Sequence, residues 1–366
     1  MHVERMRVSA LILVGVVPLS IVVACGAAEE DSAAIGAGGV NGDAGATTGE
    51  SDTDASRTSP PGAEDGWSDA AVADAGPPAP FTIVVVPDTQ VTVYKWPDDY
   101  FSAMKWIVDT RTAKNTQYVL HVGDVQEWPK TISYYVNARK GMDMLAAANI
   151  PFSIAIGNHD FDKWSDGTHA AIAADRSTTI FNNYFPVSEA AKFPTFGGSY
   201  PTGSNDNNYH LFTAGGTDWM TLAINYQATD AEIAWANGVV AAHPKRRVIV
   251  FTHDYMNGGG NRDAFGNKLW TALVRKHANI EFVLCGHLST AARRKDVGDN
   301  GNAVFQILSD YQNYDQREPN SYIRTMLFDP SAQTVSVKTY SPAFDKEMMG
   351  DAHDFVLTDV PFGPIP

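Results

Sequence analysis

The sequence predicts an α/β fold, and three observations carry that reading. Short apolar, β-branched runs recur between residues 81 and 308, the texture of buried strands. Helix-period stretches separate most of them, the spacing of parallel strands joined by right-handed crossovers. Beyond residue 304 the helices stop and strands follow one another across turns, adding an antiparallel part. With 366 residues, 44% hydrophobic and 19% charged, the chain can bury a sizeable core. Global disorder and collagen-like sequence are excluded.

In chain order, the first element is an address. Arg5 and Arg7 precede an apolar run from Val8 to Ala24, broken by Ser9, Gly15, Pro18 and Ser20. This is the pattern of a secretory signal over residues 1–24, the other reading being an N-terminal membrane helix. Residues 26–80 carry 11 acids against one Arg and almost no large apolar side chains. Residues 25–80 are therefore expected to be a disordered acidic tether, reaching on the order of 40 Å.

The folded domain is expected over 81–366. Its first strand, 81–86, stops at Pro87-Asp88-Thr89-Gln90, and a helix over 98–114 places Phe101, Met104, Ile107 and Val108 on one face. A strand at 118–122 ends at Gly123-Asp124, a helix fills 131–148, and a strand at 152–156 ends at Gly157-Asn158-His159-Asp160. The stretch 161–208 has no clean period and reads as a long insertion on the substrate side. Strand 219–225 and helix 229–242 follow. Strand 247–251 then runs into Thr252-His253-Asp254, and after a helix at 264–278 strand 280–284 runs into Cys285-Gly286-His287. Strands 304–308, 322–328 and 333–340 read as antiparallel, the last two joined at Asp329-Pro330-Ser331.

Five of these segments place Asp, Gln, Asn or His directly after an apolar strand. Side chains at strand C-termini converge on the crevice where open α/β sheets bind ligands. One histidine there is unremarkable; five polar ends in register are hard to explain as packing. Asp88, Asp124, Asn158, His253 and His287 are oxygen and imidazole donors, suited to Mn, Zn or Fe.

These motifs, in this order, resemble the calcineurin-like metallophosphoesterases, whose signature is D-x-H, G-D, G-N-H-D/E, a lone His and G-H-x-H. Here it stands as Asp88-Thr89-Gln90, Gly123-Asp124, Gly157-Asn158-His159-Asp160, His253 and Gly286-His287-Leu288-Ser289. The resemblance implies two mixed β-sheets packed as a sandwich and flanked by helices. It implies one or two divalent ions, with Asp124 bridging. Asn158, His253 and His287 would complete one site, and Asp88 would belong to the other. His159 would assist the leaving group, and two metals would ready a water for attack on phosphorus. The expected substrate is a small phosphate mono- or diester.

Two departures reduce one metal site: Gln90 and Ser289 stand where the family has histidines. What remains there is oxygen-only, with Asp88, Asp124 and the Gln90 amide, biased to Mn²⁺ or Mg²⁺. A disabled binding protein and a mononuclear hydrolase are the alternatives. Gln312 and Tyr311, just past strand 304–308, are candidates to repair the reduced site. Glu127 either orients His159 or is a solvated acid; since it is not Tyr, a ferric–tyrosinate centre is not expected. Asp160 and Asp254 follow ligand positions and are either supports or caps or reactive groups, and Arg262 is a substrate-phosphate candidate or a surface residue. Trp and Tyr residues in 94–106 and 181–209 either wall the cleft or fill the core. Gly258-Gly259-Gly260 lacks the Lys and the strand–helix context of a P-loop.

Charge and cysteines bound the rest. A net charge of −15 argues against a nucleic-acid-binding face, which needs basic surface. Cys25 and Cys285 are the only cysteines, so no disulfide framework exists. Cys285 ends a buried strand and reads as a core residue, as His121 reads as structural. Cys25 differs. The segment Val22-Val23-Ala24-Cys25-Gly26 resembles the lipobox of bacterial lipoproteins, which implies lipidation of Cys25 and anchoring in the cell envelope, with Gly26 leaning toward the outer membrane.

Overall fold

A computed structural model describes residues 78–365, so the expected signal, Cys25 and all but the last three residues of the tether lie outside the described residues. The chain opens with β1 (Phe81–Val86), α1 (Gln90–Lys95), α2 (Pro97–Thr110), β2 (Thr116–His121), α3 (Ile132–Ala147) and β3 (Phe152–Ile154). The three strands pair in parallel, as crossover spacing requires. Helix α2 starts where Pro97 fixes the first turn and Asp98 and Asp99 complement the helix dipole.

The insertion carries three short helices, α4 (His169–Ala174), α5 (Thr179–Tyr184) and α6 (Val187–Ala190), before a second sheet begins. That sheet contains β4 (Phe196–Tyr200), β5 (Asn207–Ala214) and β6 (Thr217–Ile224). After α7 (Asp230–Ala242) come β7 (Arg247–Thr252), α8 (Ala264–Ala272), β8 (Ile280–Cys285), β9 (Ala291–Val297) and β10 (Ala303–Ser309). Helix α7 begins in a capping box between Thr229 and Glu232, and the Asp263 side chain caps α8. The tail, β11 (Ile323–Asp329), β12 (Thr334–Ser341), β13 (Lys346–Met348) and β14 (Phe355–Leu357), returns to the first sheet.

Each sheet has seven strands. The first runs β13-β12-β11-β1-β2-β3 with β14 also on β12, and the second runs β4-β5-β6-β7-β8-β10-β9. Both are mixed. Alternate residues explain the layers: Phe81, Ile83 and Val85 join Ile249, Phe251, Phe282 and Leu284 of the second sheet in one core. Val84 and Val86 face outward onto Tyr100, Met104 and Leu145 of the helices. On the far side Val248 and Val250 meet Ile233, Val240 and Leu269. Strands covered on both faces run almost continuously apolar, as 83–86 and 248–251 do. Each such side chain contributes about 1.5–3 kcal/mol on burial. The predicted sandwich of two mixed sheets flanked by helices is the fold.

Several details differ from the sequence reading, which also leaves α1, β5, β13 and β14 unassigned. Strand β10 pairs in parallel with β8 and antiparallel only with β9, so the antiparallel tail begins later. Strand β9 escaped because Arg293, Arg294, Lys295 and Asp296 hide its alternation on a polar sheet edge. The insertion holds β4, whose Gly197-Gly198 pair erased any period and leaves room for the Tyr209 ring. The turn at 329–331 is as expected, with Asp329 Oδ1 accepting from the Ser331 amide at 2.9 Å.

Candidate metal centre

The ligand positions sit on sharp turns rather than in the strands. Asp124 has φ +53° and His287 φ +76°, backbone that residues with a Cβ rarely adopt. Asp160 holds the first of these turns. Its Oδ2 accepts from the Asp124 and Gly157 amides at 3.0 and 2.9 Å, and Oδ1 accepts from Val125 at 3.2 Å. Asp88 holds the second, accepting from the His287 amide at 3.1 Å. Close approach dictates two glycines. A Cβ on Gly157 would lie 2.1 Å from Asp124 Oδ1, and one on Gly286 the same distance from Asp88 Oδ1.

His253 is the hub. Its Nδ1–H donates to the Val122 carbonyl at 3.0 Å, which leaves Nε2 facing the other ligands. Nε2 lies 3.1 Å from Asp124 Oδ2, 3.2 Å from Asn158 Oδ1, 3.2 Å from His287 Nδ1 and 3.8 Å from Asp88 Oδ2. Ligand atoms of Asp124, His253 and His287 all fall within 4.8 Å of one another. Several lone pairs thus converge on one buried spot where a single proton can serve only one at a time. A divalent cation satisfies them together, and this donor set fits one.

The electrostatics match. Burial opposes ionisation of Asp124, yet His253 and His159 hold its carboxyl well below the usual range. Burial also disfavours a charged His253, but Asp124 and Asp88 pull it up to about 10. His287 is pushed down to about 4 by burial and by His253, so it offers a lone pair. Burial, and then Asp310, raise Asp88 well above its ordinary value.

The sequence model of the calcineurin-like phosphoesterases matches residues 81–290, which span these turns. The chain belongs to that family. It is 32% identical over 301 residues to the uncharacterized protein YvnB of Bacillus subtilis, a match covering 78% of this chain but only 22% of YvnB. Among solved structures it is similar to a purple acid phosphatase from yellow lupin (Lupinus luteus) seeds. There the TM-score is 0.50 and the identity 11%, over 77% of this chain and 54% of that one. A dimetal phosphatase from Danio rerio covers 77% of this chain and 99% of its own at TM-score 0.49 and 13% identity. The lupin likeness shows the fold alone.

In this member of the calcineurin-like phosphoesterase family, Asp88, Gln90, Asp124, Asn158, His253 and His287 come together. The oxygen-only half is threaded by amides: Gln90 Nε2 donates to Asp124 Oδ2 at 3.2 Å and to Gln312 Oε1. Gln312 in turn donates to Asp310 at 2.9 Å and lies 3.5 Å from Asp88. The Gln90 Oε1 atom is buried without a partner, an oxygen that suits a hard cation. Ser289 is exposed.

His159 sits beside the ligands, its amide donating to Asp124 Oδ1 at 2.9 Å and its Nδ1–H to the Glu127 carbonyl at 2.7 Å. Nε2 is left toward the cleft, 3.9 Å from Asp124 Oδ2. Glu127 is buried rather than solvated, 3.8 Å from the His159 ring, and accepts from the Tyr314 hydroxyl at 2.8 Å. Asp160 is the support described above. Asp254 accepts from Gln227 at 3.2 Å and shares a hydrogen bond with Asp263, whose carboxyl burial pushes up to about 7.

Two candidates point elsewhere. The Tyr311 hydroxyl is taken by Arg324 at 2.7 Å and Thr339 at 3.2 Å, so it does not repair the reduced half. Arg262 donates to Asp296 and Gln306 at 2.6 and 2.7 Å and stacks on Trp270, away from the ligands. The cleft wall also differs from expectation. Trp128 and Trp164, outside the ranges read for it, flank His159 with ring centroids at 6.2 and 4.5 Å. His121 is structural as read, with Nε2–H donating to Thr89 at 3.0 Å and Nδ1 accepting from Gly123 at 3.2 Å. Asp310 went unnamed, although it follows β10 just as Asp88 follows β1. Trp128 and Tyr314 lie in loops and Trp164 in a short 3₁₀ turn (Asp162–Asp166), none of which leaves a periodic signal.

Proposed function

We propose that this protein is a metal-dependent phosphoesterase hydrolysing a phosphate mono- or diester. The observation that carries it is the meeting of Asp124, His253 and His287 within 4.8 Å at strand ends drawn from both sheets. Asp124, Asn158, His253 and His287 would hold one cation, and Asp88, Asp124 and Gln90 a second, weaker one. Bound there, divalent cations polarise a phosphoryl oxygen and lower the pKa of water. The protein's own contribution is placement. Asp160 fixes the Asp124 turn, the Val122 carbonyl fixes the His253 tautomer, and the Glu127 carbonyl turns His159 Nε2 to the cleft. A proton carried on that nitrogen is positioned for the leaving oxygen.

A panel of chromogenic monoesters and diesters, run with elemental analysis of the same sample, tests this. Turnover is expected with Mn²⁺, and Asp124→Asn is expected to abolish it; full activity in that variant would refute the assignment. The second reading, hydrolysis at the imidazole-bearing site alone, is favoured by the Gln90–Gln312 hydrogen bond in the other half. It predicts one tightly held metal per chain and no gain from added Mn²⁺.

We also propose lipid anchoring at Cys25 in the cell envelope, on the apolar run that closes at Val22-Val23-Ala24-Cys25. Cys25→Ser is expected to move the protein from the membrane to the soluble fraction; unchanged membrane retention would reject it.

A further inference from the structure

Opposite His159, the insertion delivers another imidazole to the ligands. His169 opens α4, where Thr168 caps the helix by accepting from the Ala171 amide at 3.2 Å. Its ring lies 6.2 Å from that of His287, edge to face, and 5.3 Å from Trp164. Trp164 packs in turn on His159 at 4.5 Å, so the two imidazoles stand on either side of one indole.

Tyr226 ties this arrangement to the fold at both ends of α4. Its hydroxyl meets His169 Nδ1 at 3.0 Å, and its carbonyl accepts from Arg176, just past the helix, at 2.7 Å. Its ring packs 5.9 Å from His253 and 5.7 Å from His287. Gln227 Nε2 donates to the Tyr226 oxygen at 3.0 Å, and the phenol proton is free to be given to His169 Nδ1. In that arrangement the imidazole carries its proton on Nε2. That nitrogen is a donor on an exposed ring, held beside the imidazole-bearing half of the centre.

We propose that His169 is a phosphate-binding residue of this site, donating its Nε2–H to a phosphoryl oxygen on the side opposite His159, with Tyr226 as its positioning residue. The proposal rests on the phosphoesterase reading and adds a substrate contact made by the insertion. A ring so held costs little ordering on binding, and a hydrogen bond to an anionic oxygen is among the stronger kinds.

The test uses the full chain loaded with Mn²⁺ and inorganic phosphate as the probe, whose binding by calorimetry needs no turnover. His169→Ala is expected to weaken phosphate about tenfold, the size of one hydrogen bond to a charged group. Mn²⁺ affinity is expected to stay unchanged, and KM to rise more than kcat falls. His169→Gln, which keeps an N–H donor, is expected to recover part of the loss, and Tyr226→Phe to reproduce part of it. Equal phosphate affinity in wild type and His169→Ala overturns the proposal. So does loss of Mn²⁺ together with phosphate, which would make His169 a support of the metal ligands instead. A wild-type protein that binds no phosphate and cleaves no ester fails the phosphoesterase reading itself, an outcome distinct from both.

Discussion

At the scale of single residues, the centre is arranged so that geometry and catalysis fail separately. Gly157 lies so close to Asp124 that one methyl group would occupy the carboxylate's place, 2.1 Å from Oδ1. Neither backbone can give way, since Asp160 pins both amides. Gly157→Ala is therefore expected to lose metal and activity together, as elemental analysis would show. His159 hydrogen-bonds Asp124 Oδ1 through its backbone amide, while its ring nitrogen stays 3.9 Å from Oδ2. His159→Ala keeps that amide, so metal content should persist while turnover falls by about 10²–10⁴-fold, the usual contribution of a positioned acid. The ligands were legible because each follows an apolar run, a signal that Asp310 shares. The rings around them were not, because Trp128, Trp164 and His169 reach the site through loops and a short helix whose positions only tertiary packing fixes.

At the scale of elements, the strands buried on both faces were readable, as were β11 and β12 with their alternating faces, whereas a run of four charged residues hid β9. Strands β1, β7 and β8 are buried at every position, while β9 exposes alternate charged residues. Strand β5 shows what tertiary context adds. Its His210 is buried between the rings of Tyr118 and Phe196, with Nδ1 on the Thr195 hydroxyl at 2.9 Å. Burial pushes this imidazole down from 6.5 to about 3, so the folded chain refuses a proton that the unfolded chain accepts. The stabilising effect of a neutral His210 is thus full above pH 6.5 and lost as pH falls toward 3, at about 1.4 kcal/mol per unit. Urea unfolding at pH 7, 6 and 5 is expected to show a shallower decline in His210→Gln than in wild type. An identical slope would mean that the residue is protonated in the native strand.

At the scale of the molecule, the centre joins the two sheets. Asp88, Asp124 and Asn158 come from the ends of β1, β2 and β3, and His253 and His287 from the ends of β7 and β8. Hydrogen bonds cross this seam, among them His253 to the Val122 carbonyl at 3.0 Å and the Tyr226 amide to the Ile156 carbonyl at 3.1 Å. Against them stand the buried carboxyls of Asp88, Asp124 and Asp310, each of which raises or is raised by a neighbour. A cation held here by Asp88, Asp124, His253 and His287 would offset that repulsion and fasten ligands of both sheets at once. Since only the folded chain assembles the ligands, binding adds stability by mass action, about 2.7 kcal/mol at a hundredfold excess over Kd. The melting temperature is expected to rise by several degrees with Mn²⁺ and to return on addition of a chelator, with Asp124→Asn showing no rise. Melting that ignores saturating Mn²⁺ in the wild type would mean that these side chains do not close around an ion, and the joint between the sheets would then rest on packing alone.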